Sequence, residues 1–325
     1  MIIATTTANF TYFTGVKLET YERFKAVVKC GDYIAVVIPA VDAGRVKSGE
    51  VFLYKDGEDP AEILKKAAAG CQNAEVVYID GGTTLRHFEI IKRALGAVDY
   101  RIADDLLYTL RAVKREEEVV YIREAARRIR EVVDLIELQQ GRSEADLALE
   151  IKRVLVERGL EPGPVLVQFG VNTAYPHQGP TGKKLQFGEA VVLDVSASYR
   201  GYYGDLTFSF FYGEEPPLYR EIYDVVKEAQ ERAIAAIRPG VYASEVDSAA
   251  RSFISQRGYG QFFIHRTGHG LGLEIHEPPD VSPNSPHVLM PGMVFTIEPG
   301  IYIPDKYGVR LEVDVYLSHS GVHIL

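Results

Sequence analysis

Apolar and polar positions alternate in two different rhythms along this chain, and the change comes near residue 114. Before it, short apolar runs at Val36-Val37-Ile38, Val51-Phe52-Leu53-Tyr54 and Val76-Val77-Tyr78-Ile79 predict buried strands. Helices are predicted between and after them, from Pro60 to Ala69 and from Thr84 to Leu95, with Gly70 and Gly96 as stops. Asp80-Gly81-Gly82 is a turn, because its glycine spacing fits neither phosphate-binding fingerprint. Strands alternating with helices make this first part α/β.

The charged stretch Lys114-Arg115-Glu116-Glu117-Glu118 opens the second part. Ile122, Ala125, Ala126, Ile129, Val132, Val133 and Ile136 follow at three-four spacing, so the acids form the solvated first turn of a long amphipathic helix. The domain boundary therefore falls within residues 108–114, dividing the chain into 1–112 and 113–325. The long helix is expected to run to about Gly141. A second helix starts at a Ser143 cap, with Asp146 at the capping-box position, and stops at Gly159. The same order then returns. Pro217 to Ile237 reads as a long helix ended by Pro239-Gly240, and Ser244, with Asp247 three residues on, caps another that ends at Gly258. A hairpin carrying two acids follows each helix pair. Ser143 to Asp194 is 51 residues and Ser244 to Glu298 is 54, so an internal two-fold duplication is expected.

In the first hairpin, Val191 to Ser196 runs up to a turn around Tyr199-Arg200-Gly201, and Gly204 to Phe208 runs back. Alternation puts Asp194, Ser196, Asp205 and Thr207 on one face, and Leu193, Val195, Leu206 and Phe208 on the other. A turn midway between the aspartates would set Asp194 directly against Asp205, which is destabilising unless a cation lies between them. In the second hairpin Thr296 and Glu298 alternate with Phe295 and Ile297. Arg310, Glu312 and Asp314 alternate with Val309, Leu311 and Val313, and the turn at Asp305-Lys306 sets Glu298 against Glu312. The histidines His265 and His269 share strand parity with Thr267, and glycines flank His269, which permits close backbone approach. His276 follows seven residues later, next to Glu277, and His177 sits in the loop Tyr175 to Gly179. His87, His287, His319 and His323 read as ordinary hydrogen-bonded residues. Asp194, Asp205, His269, Glu298 and Glu312 together are four carboxylates and one imidazole, a donor set suited to two divalent cations, whose charge they would balance.

Composition narrows the choices. The 325 residues are 46% hydrophobic and 25% charged, enough for two cores, and the net charge of -9 argues against a nucleic-acid partner. No apolar run approaches about 18 residues, so no membrane span is expected, and the first residues lack a signal-peptide pattern. Two cysteines, Cys30 and Cys71, are too few for a disulfide framework and fit a reducing cytoplasm, with a single bridge left open.

These segments together resemble the pita-bread metallopeptidases, most of all the proline-specific branch of prolidase (Xaa-Pro dipeptidase) and aminopeptidase P. The resemblance lies in Pro176-His177, in Leu193-Asp194 through Gly204-Asp205-Leu206-Thr207, and in His265-Arg266-Thr267-Gly268-His269-Gly270-Leu271-Gly272-Leu273 with His276-Glu277. It continues in Phe295-Thr296-Ile297-Glu298-Pro299-Gly300 and Gly308-Val309-Arg310-Leu311-Glu312. It covers nearly all of residues 114–325, and Asn9 to Gly15 looks like an early segment of the family's N-terminal domain.

The resemblance implies an α/β (α+β) protein. A creatinase-like N-terminal domain, expected to be shortened at its start, would precede a pita-bread catalytic domain with pseudo-two-fold duplication. Two divalent ions, manganese, cobalt or zinc, would be held with Asp194 on one, Asp205 and Glu312 bridging both, and His269 and Glu298 completing the set. His177, His265, His276 and Arg310 match positions that line the substrate site, and Glu298, His177 and His276 take the catalytic roles. The implied activity is hydrolysis of the bond preceding proline in Xaa-Pro dipeptides by a cytoplasmic homodimer, through a metal-activated water. Aminopeptidase P action on longer Xaa-Pro peptides and a non-catalytic peptide- or partner-binding role are the alternatives. Ser196, Phe208 and Val313 depart from the family's usual glycine, arginine and aspartate.

Overall fold

The computed structural model describes residues 1–71 and 74–325. It divides into two compact units, Met1–Arg111 and Ala112–Leu325. In the first, the elements in chain order are β1 (Ile2–Ala4), α1 (Thr7–Thr14), β2 (Ala26–Cys30), β3 (Tyr33–Pro39), β4 (Glu50–Tyr54), α2 (Pro60–Ala68), β5 (Val76–Ile79), α3 (Leu85–Leu95), β6 (Asp99–Ile102) and α4 (Asp104–Ala112). The strands form one mixed six-stranded sheet in the order β4-β3-β2-β1-β5-β6. Both faces are covered, which is why β3 reads as an uninterrupted apolar run. Val28 and Val37 pack with Leu64, Ala67 and Ile91 on the side of α2 and α3, while Val27, Val36 and Ile38 pack with Phe10 and Leu18 on the other. The edge strand β6 escapes the apolar-run criterion because Asp99, Arg101 and Ile102 face solvent. Cys30 and Cys71 are joined in a disulfide with their Cα atoms 5.7 Å apart. Asp80, in its predicted turn, also accepts hydrogen bonds from the Thr5 and Thr6 N–H groups and from Asn9 Nδ2, tying down the start of α1.

The second unit runs α5 (Glu116–Asp134), α6 (Glu144–Glu157), β7 (Glu161–Phe169), β8 (Glu189–Tyr199), β9 (Tyr202–Tyr212), α7 (Pro217–Ala236), α8 (Ala243–Gln256), β10 (Gly268–Gly270), β11 (Glu277–Val281), β12 (Val294–Ile297), β13 (Gly300–Ile303), β14 (Tyr307–Arg310), β15 (Val313–Ser318) and β16 (Gly321–Ile324). Helix pair and sheet occur twice, as the duplication predicts. Ile129, Val132, Leu147 and Ile151 of α5 and α6 pack on Val167, Leu193, Val195 and Leu206 of the sheet β7-β8-β9. Val225, Ala229, Ala250 and Ile254 of α7 and α8 pack on Phe295, Ile297, Val309 and Val315. Each sheet thus spends one face on its helices and has the other free for polar groups. Gly204 allows α5 this approach: a Cβ there would lie 2.7 Å from the Ala126 nitrogen.

Two helix ends differ from expectation. α5 stops at Asp134 rather than near Gly141, because Ile136 and Leu138 reach the same core from outside the helix, so their spacing imitates its continuation. α8 begins two residues earlier than a Ser244 cap requires. Its cap is Tyr242, whose N–H donates to Glu245 Oε1, and Asp247 is buried as a brace instead of serving the cap. Ser143 does cap α6, accepting from the Asp146 N–H.

The start of α5 rests on Glu118, which accepts from the Arg115 N–H at 2.7 Å, from Arg115 Nη2 at 2.9 Å and from the Tyr202 hydroxyl at 2.7 Å. Burial alone would raise this carboxyl, but the Arg115 and Tyr202 donors outweigh it and hold it below its ordinary value. A depressed carboxyl adds stability above its unfolded pKa of about 4.3, and that stability disappears as pH falls through the folded value. Glu118→Gln is expected to cost roughly 1–3 kcal/mol at pH 7, read as a lower Tm. Its gap from wild type should narrow below about pH 4, and a gap constant from pH 7 to pH 3 would leave Glu118 a packing role only.

Candidate metal centre

The first hairpin turns on Arg200 and Gly201, both at positive φ (52° and 85°), the geometry of a tight two-residue turn. This centres the register one residue later than the midpoint of the two aspartates. Asp194 therefore faces Thr207, and Ser196 faces Asp205. The aspartates are diagonal neighbours instead of a directly opposed pair, and all four side chains still share the predicted face.

Glu298 and Glu312 lie at a joint between two ladders. On one side β12 and β15 pair Ile297 with Val313; on the other β13 and β14 pair Gly300 with Arg310. Both ladders keep the same register, so the glutamates stand opposite each other, as the second hairpin predicts. At the joint their backbones turn outward. The Glu298 N–H donates to the Thr267 carbonyl at 2.7 Å, and the Glu312 N–H to the Thr207 carbonyl at 3.1 Å. Those two bonds join the second hairpin to the histidine strand and to the first hairpin. Further stitches reinforce the seam with β9: Ser209 Oγ to the Arg310 carbonyl at 2.8 Å, and the Asp205 N–H to Asp314 Oδ2 at 3.1 Å.

His269 sits in β10 between glycines with no room for a side chain. A Cβ on Gly268 would collide with the Thr296 carbonyl, and one on Gly270 with the Pro278 carbonyl. α8 braces the approach to this strand. Asp247 accepts from Thr267 Oγ1 at 2.7 Å and pairs with Arg251, which also donates to the carbonyls of Phe263 and His265.

All nine sequence-predicted site residues line one cavity of about 770 Å³. At its floor, ligand atoms of Asp205, His269 and Glu312 lie within 4.8 Å of one another. The remaining two acids are held by neighbours: Asp194 by Arg310 Nη2 at 2.6 Å, and Glu298 by His269 Nε2 at 3.2 Å. The electrostatics favour a cation. Burial and mutual repulsion lift the Asp205 and Glu312 carboxyls well above their ordinary values and raise Asp194. Glu298 differs: burial pushes it up, but the hydrogen bond and charge of His269, then His265 and Arg310, hold it at about 2. Asp205 Oδ1 is buried with no hydrogen-bond partner among the described residues. His269 Nδ1 lies 3.1 Å from the Gly270 carbonyl, which can only accept. Nδ1 therefore donates there, and Nε2, the nitrogen that faces Glu298, is the one available to a cation. Oxygen-rich donors, an orphaned oxygen and an oriented imidazole fit a divalent metal site.

One cavity wall is a hydrogen-bond chain that sequence patterns do not announce. Arg310 donates Nε to Thr207 Oγ1 at 3.2 Å, Nη1 to the Tyr302 hydroxyl at 2.8 Å and Nη2 to Asp194. The Tyr302 hydroxyl donates to His265 Nε2 at 2.8 Å, since His265 Nδ1 gives its proton to the Arg266 carbonyl. Burial lowers the His265 pKa, as befits a neutral ring held this way. Tyr302 was not among the expected site residues; its parity with Gly300 in β13 places it on the Arg310 side but names no partner. Opposite, His276 stacks edge-on against His269, ring centroids 4.2 Å apart, and burial, with the charges of His269 and Arg266, lowers its pKa to about 4. His177 is exposed on its loop. Glu144, fully buried at the start of α6, fixes that loop's flanks by accepting from the N–H groups of Phe169 and Thr181 and from Asn172 Nδ2.

Gly268→Ala is expected to displace His269 and weaken divalent-cation binding by about 10- to 100-fold, measured by calorimetric titration of metal-stripped protein with Mn²⁺. Gly182→Ala, where a Cβ meets only open space, is the matched control. Equal affinities in the two variants would remove the close packing at Gly268 from the design of the site.

Comparison with known proteins agrees with this geometry. Residues 120–319 match the model of metallopeptidase family M24. The probable dipeptidase PepE of Mycobacterium tuberculosis is 36% identical over 322 residues, covering 95% of this chain and 85% of that protein. The prolidase of Thermococcus sibiricus superposes with a TM-score of 0.93 at 32% identity, covering 99% of this chain and 91% of that one. A dipeptidase of Pyrococcus horikoshii OT3 superposes with a TM-score of 0.92 at 33% identity, covering 99% and 92%. With its paired helix-and-sheet halves around an acid-lined cavity, this chain belongs to metallopeptidase family M24 and has the pita-bread fold.

Proposed function

We propose that this enzyme hydrolyses the peptide bond preceding proline in Xaa-Pro dipeptides. In this reading two divalent cations, manganese or cobalt, are held by Asp194, Asp205, His269, Glu298 and Glu312. The observation that carries it is the convergence of Asp205, His269 and Glu312 at the floor of a cavity whose walls include Pro164, Leu166, Pro176 and Ile275. The names of the similar proteins, a prolidase and two dipeptidases, point the same way. When bound, the cations supply Lewis acidity to a scissile carbonyl and make a water molecule more acidic.

The chain's own groups do the rest. Glu298, ionised beside His269, takes the proton from the attacking water and passes it to the leaving proline nitrogen, which departs as a secondary amine. His276, neutral because of its lowered pKa, donates an N–H to the oxygen on which negative charge develops, and His177 reaches the same cavity from its loop. Arg310 and His265 shape the wall: through Tyr302 they fix the guanidinium that orients Asp194. Homodimer assembly, which rests on the family resemblance, and cytoplasmic placement complete the proposal; no helix among the described residues is long and apolar enough to cross a membrane.

Metal-stripped protein resupplied with Mn²⁺ or Co²⁺ is expected to cleave Xaa-Pro dipeptides, and chelation should abolish that turnover. Failure to cleave any Xaa-Pro dipeptide or Xaa-Pro-Xaa peptide would sink the proline-specific reading. Glu298→Ala should lower kcat by at least about 10²- to 10⁴-fold, and a wild-type rate in that variant would remove Glu298 from the mechanism.

A further inference from the structure

The loop that carries His177 is held from beneath by one side chain. Tyr175-Pro176-His177-Gln178 is a β-turn, closed by the Gln178 N–H donating to the Tyr175 carbonyl at 2.9 Å, with proline at a position such turns favour. Its two central residues, Pro176 and His177, line the cavity. His177 is exposed, and its ring makes no hydrogen bond among the described residues. Where that imidazole stands is therefore decided by the turn that bears it.

Gln168 is that side chain. Alternation along β7 turns Val167 and Phe169 into the helix-packed core, while Leu166 lines the cavity and Gln168 shares its face. Gln168 is fully buried. Its Nε2 donates to the carbonyls of Tyr175 and Gln178, each at 2.9 Å, and lies 3.4 Å from that of Pro176. An amide nitrogen carries two hydrogens, so it bonds the first and last carbonyls of the turn at once. The other end of the amide, Oε1, is buried with no hydrogen-bond partner among the described residues. Burying an unpaired carbonyl costs stability, so a group kept at that cost calls for a reason beyond the core. Among the described residues, every bond this side chain makes goes to the turn.

We propose that Gln168 is a positioning residue for the reaction: by clamping both ends of the turn it presets His177 against the substrate. This rests on the reading above, in which His177 serves the reaction from its loop. Glu144 fixes only the flanks of that loop, through Phe169, Asn172 and Thr181, and leaves the apex to Gln168. An imidazole set before the substrate arrives needs no reorganisation as charge develops. Without the clamp the same histidine would have to find its place in every turnover, and a misplacement of about 1 Å can cost about 100-fold in rate.

The test is a double-mutant cycle of Gln168→Met with His177→Ala, read as kcat and KM for Ala-Pro on Mn²⁺-loaded protein. Methionine keeps the length of the side chain and loses both donors. Alone, Gln168→Met should lower kcat by about 10- to 100-fold, with KM changing less. In the His177→Ala background it should change kcat by no more than about 2-fold. Hydrogen exchange should speed up in residues 174–179 and stay as it is elsewhere. Gln168→Asn keeps the amide but withdraws it by one methylene, and it gives the same readouts should the methionine variant fail to fold. An equal loss in both backgrounds, no loss in either, or faster exchange throughout the second unit overturns the assignment while the Xaa-Pro reading stands. Absence of Ala-Pro cleavage by wild type overturns that reading and the role of Gln168 with it.

Discussion

Everything in the second unit is arranged around an electrostatic conflict. Asp194, Asp205, Glu298 and Glu312 share one cavity, and Asp205 and Glu312 are almost fully buried. Two like charges about 4 Å apart repel by roughly 4 kcal/mol at the effective dielectric of a protein site. Arg310 and His269 answer two of the acids directly. The other two, lifted well above their ordinary values, are neutralised by a bound proton or by a cation. A fold that holds this set together must be stiff where the acids attach. Here the stiffness comes from backbone: Glu298 and Glu312 donate their N–H groups to the strands bearing His269 and Asp205, so moving an acid means breaking a strand-to-strand bond.

The two-fold repetition explains how one chain can bear that cost. Each helix pair covers one face of its sheet with aliphatic side chains, giving both halves a core that does not depend on the polar seam between them. The acids are then mounted on sheets already made stable elsewhere. The halves contribute unequally, however. The first supplies its acids from a continuous long hairpin, the second from a joint between two short ladders, with its histidine on a separate three-residue strand.

Much of this is legible in the chain itself, because alternation is a strict rule in strands. The parity of Leu193, Asp194, Val195 and Ser196 alone decides which side chains face the cavity, and the glycines around His269 announce the crowding found there. Register is harder. The tight turn at Arg200-Gly201 and a looser turn centred one residue earlier are both compatible with the amino acids, and they differ in whether Asp205 meets Asp194 or Ser196. Ser244 matches a capping signature as well as Ser143 does, yet Tyr242 begins α8, since helix starts also answer to what must be buried, here Ala243 and Asp247. The links from Arg310 through Tyr302 to His265, and from Arg266 to Asp280, join side chains across strands and loops, and no local spacing encodes them.

The chain through Tyr302 has one more property. It begins at a guanidinium, which does not surrender a proton near neutral pH, and ends at the Arg266 carbonyl, which cannot take one up. Both ends are closed, so the sequence of donors conducts nothing, although it looks like a relay. That wall therefore offers the cavity no proton path of its own.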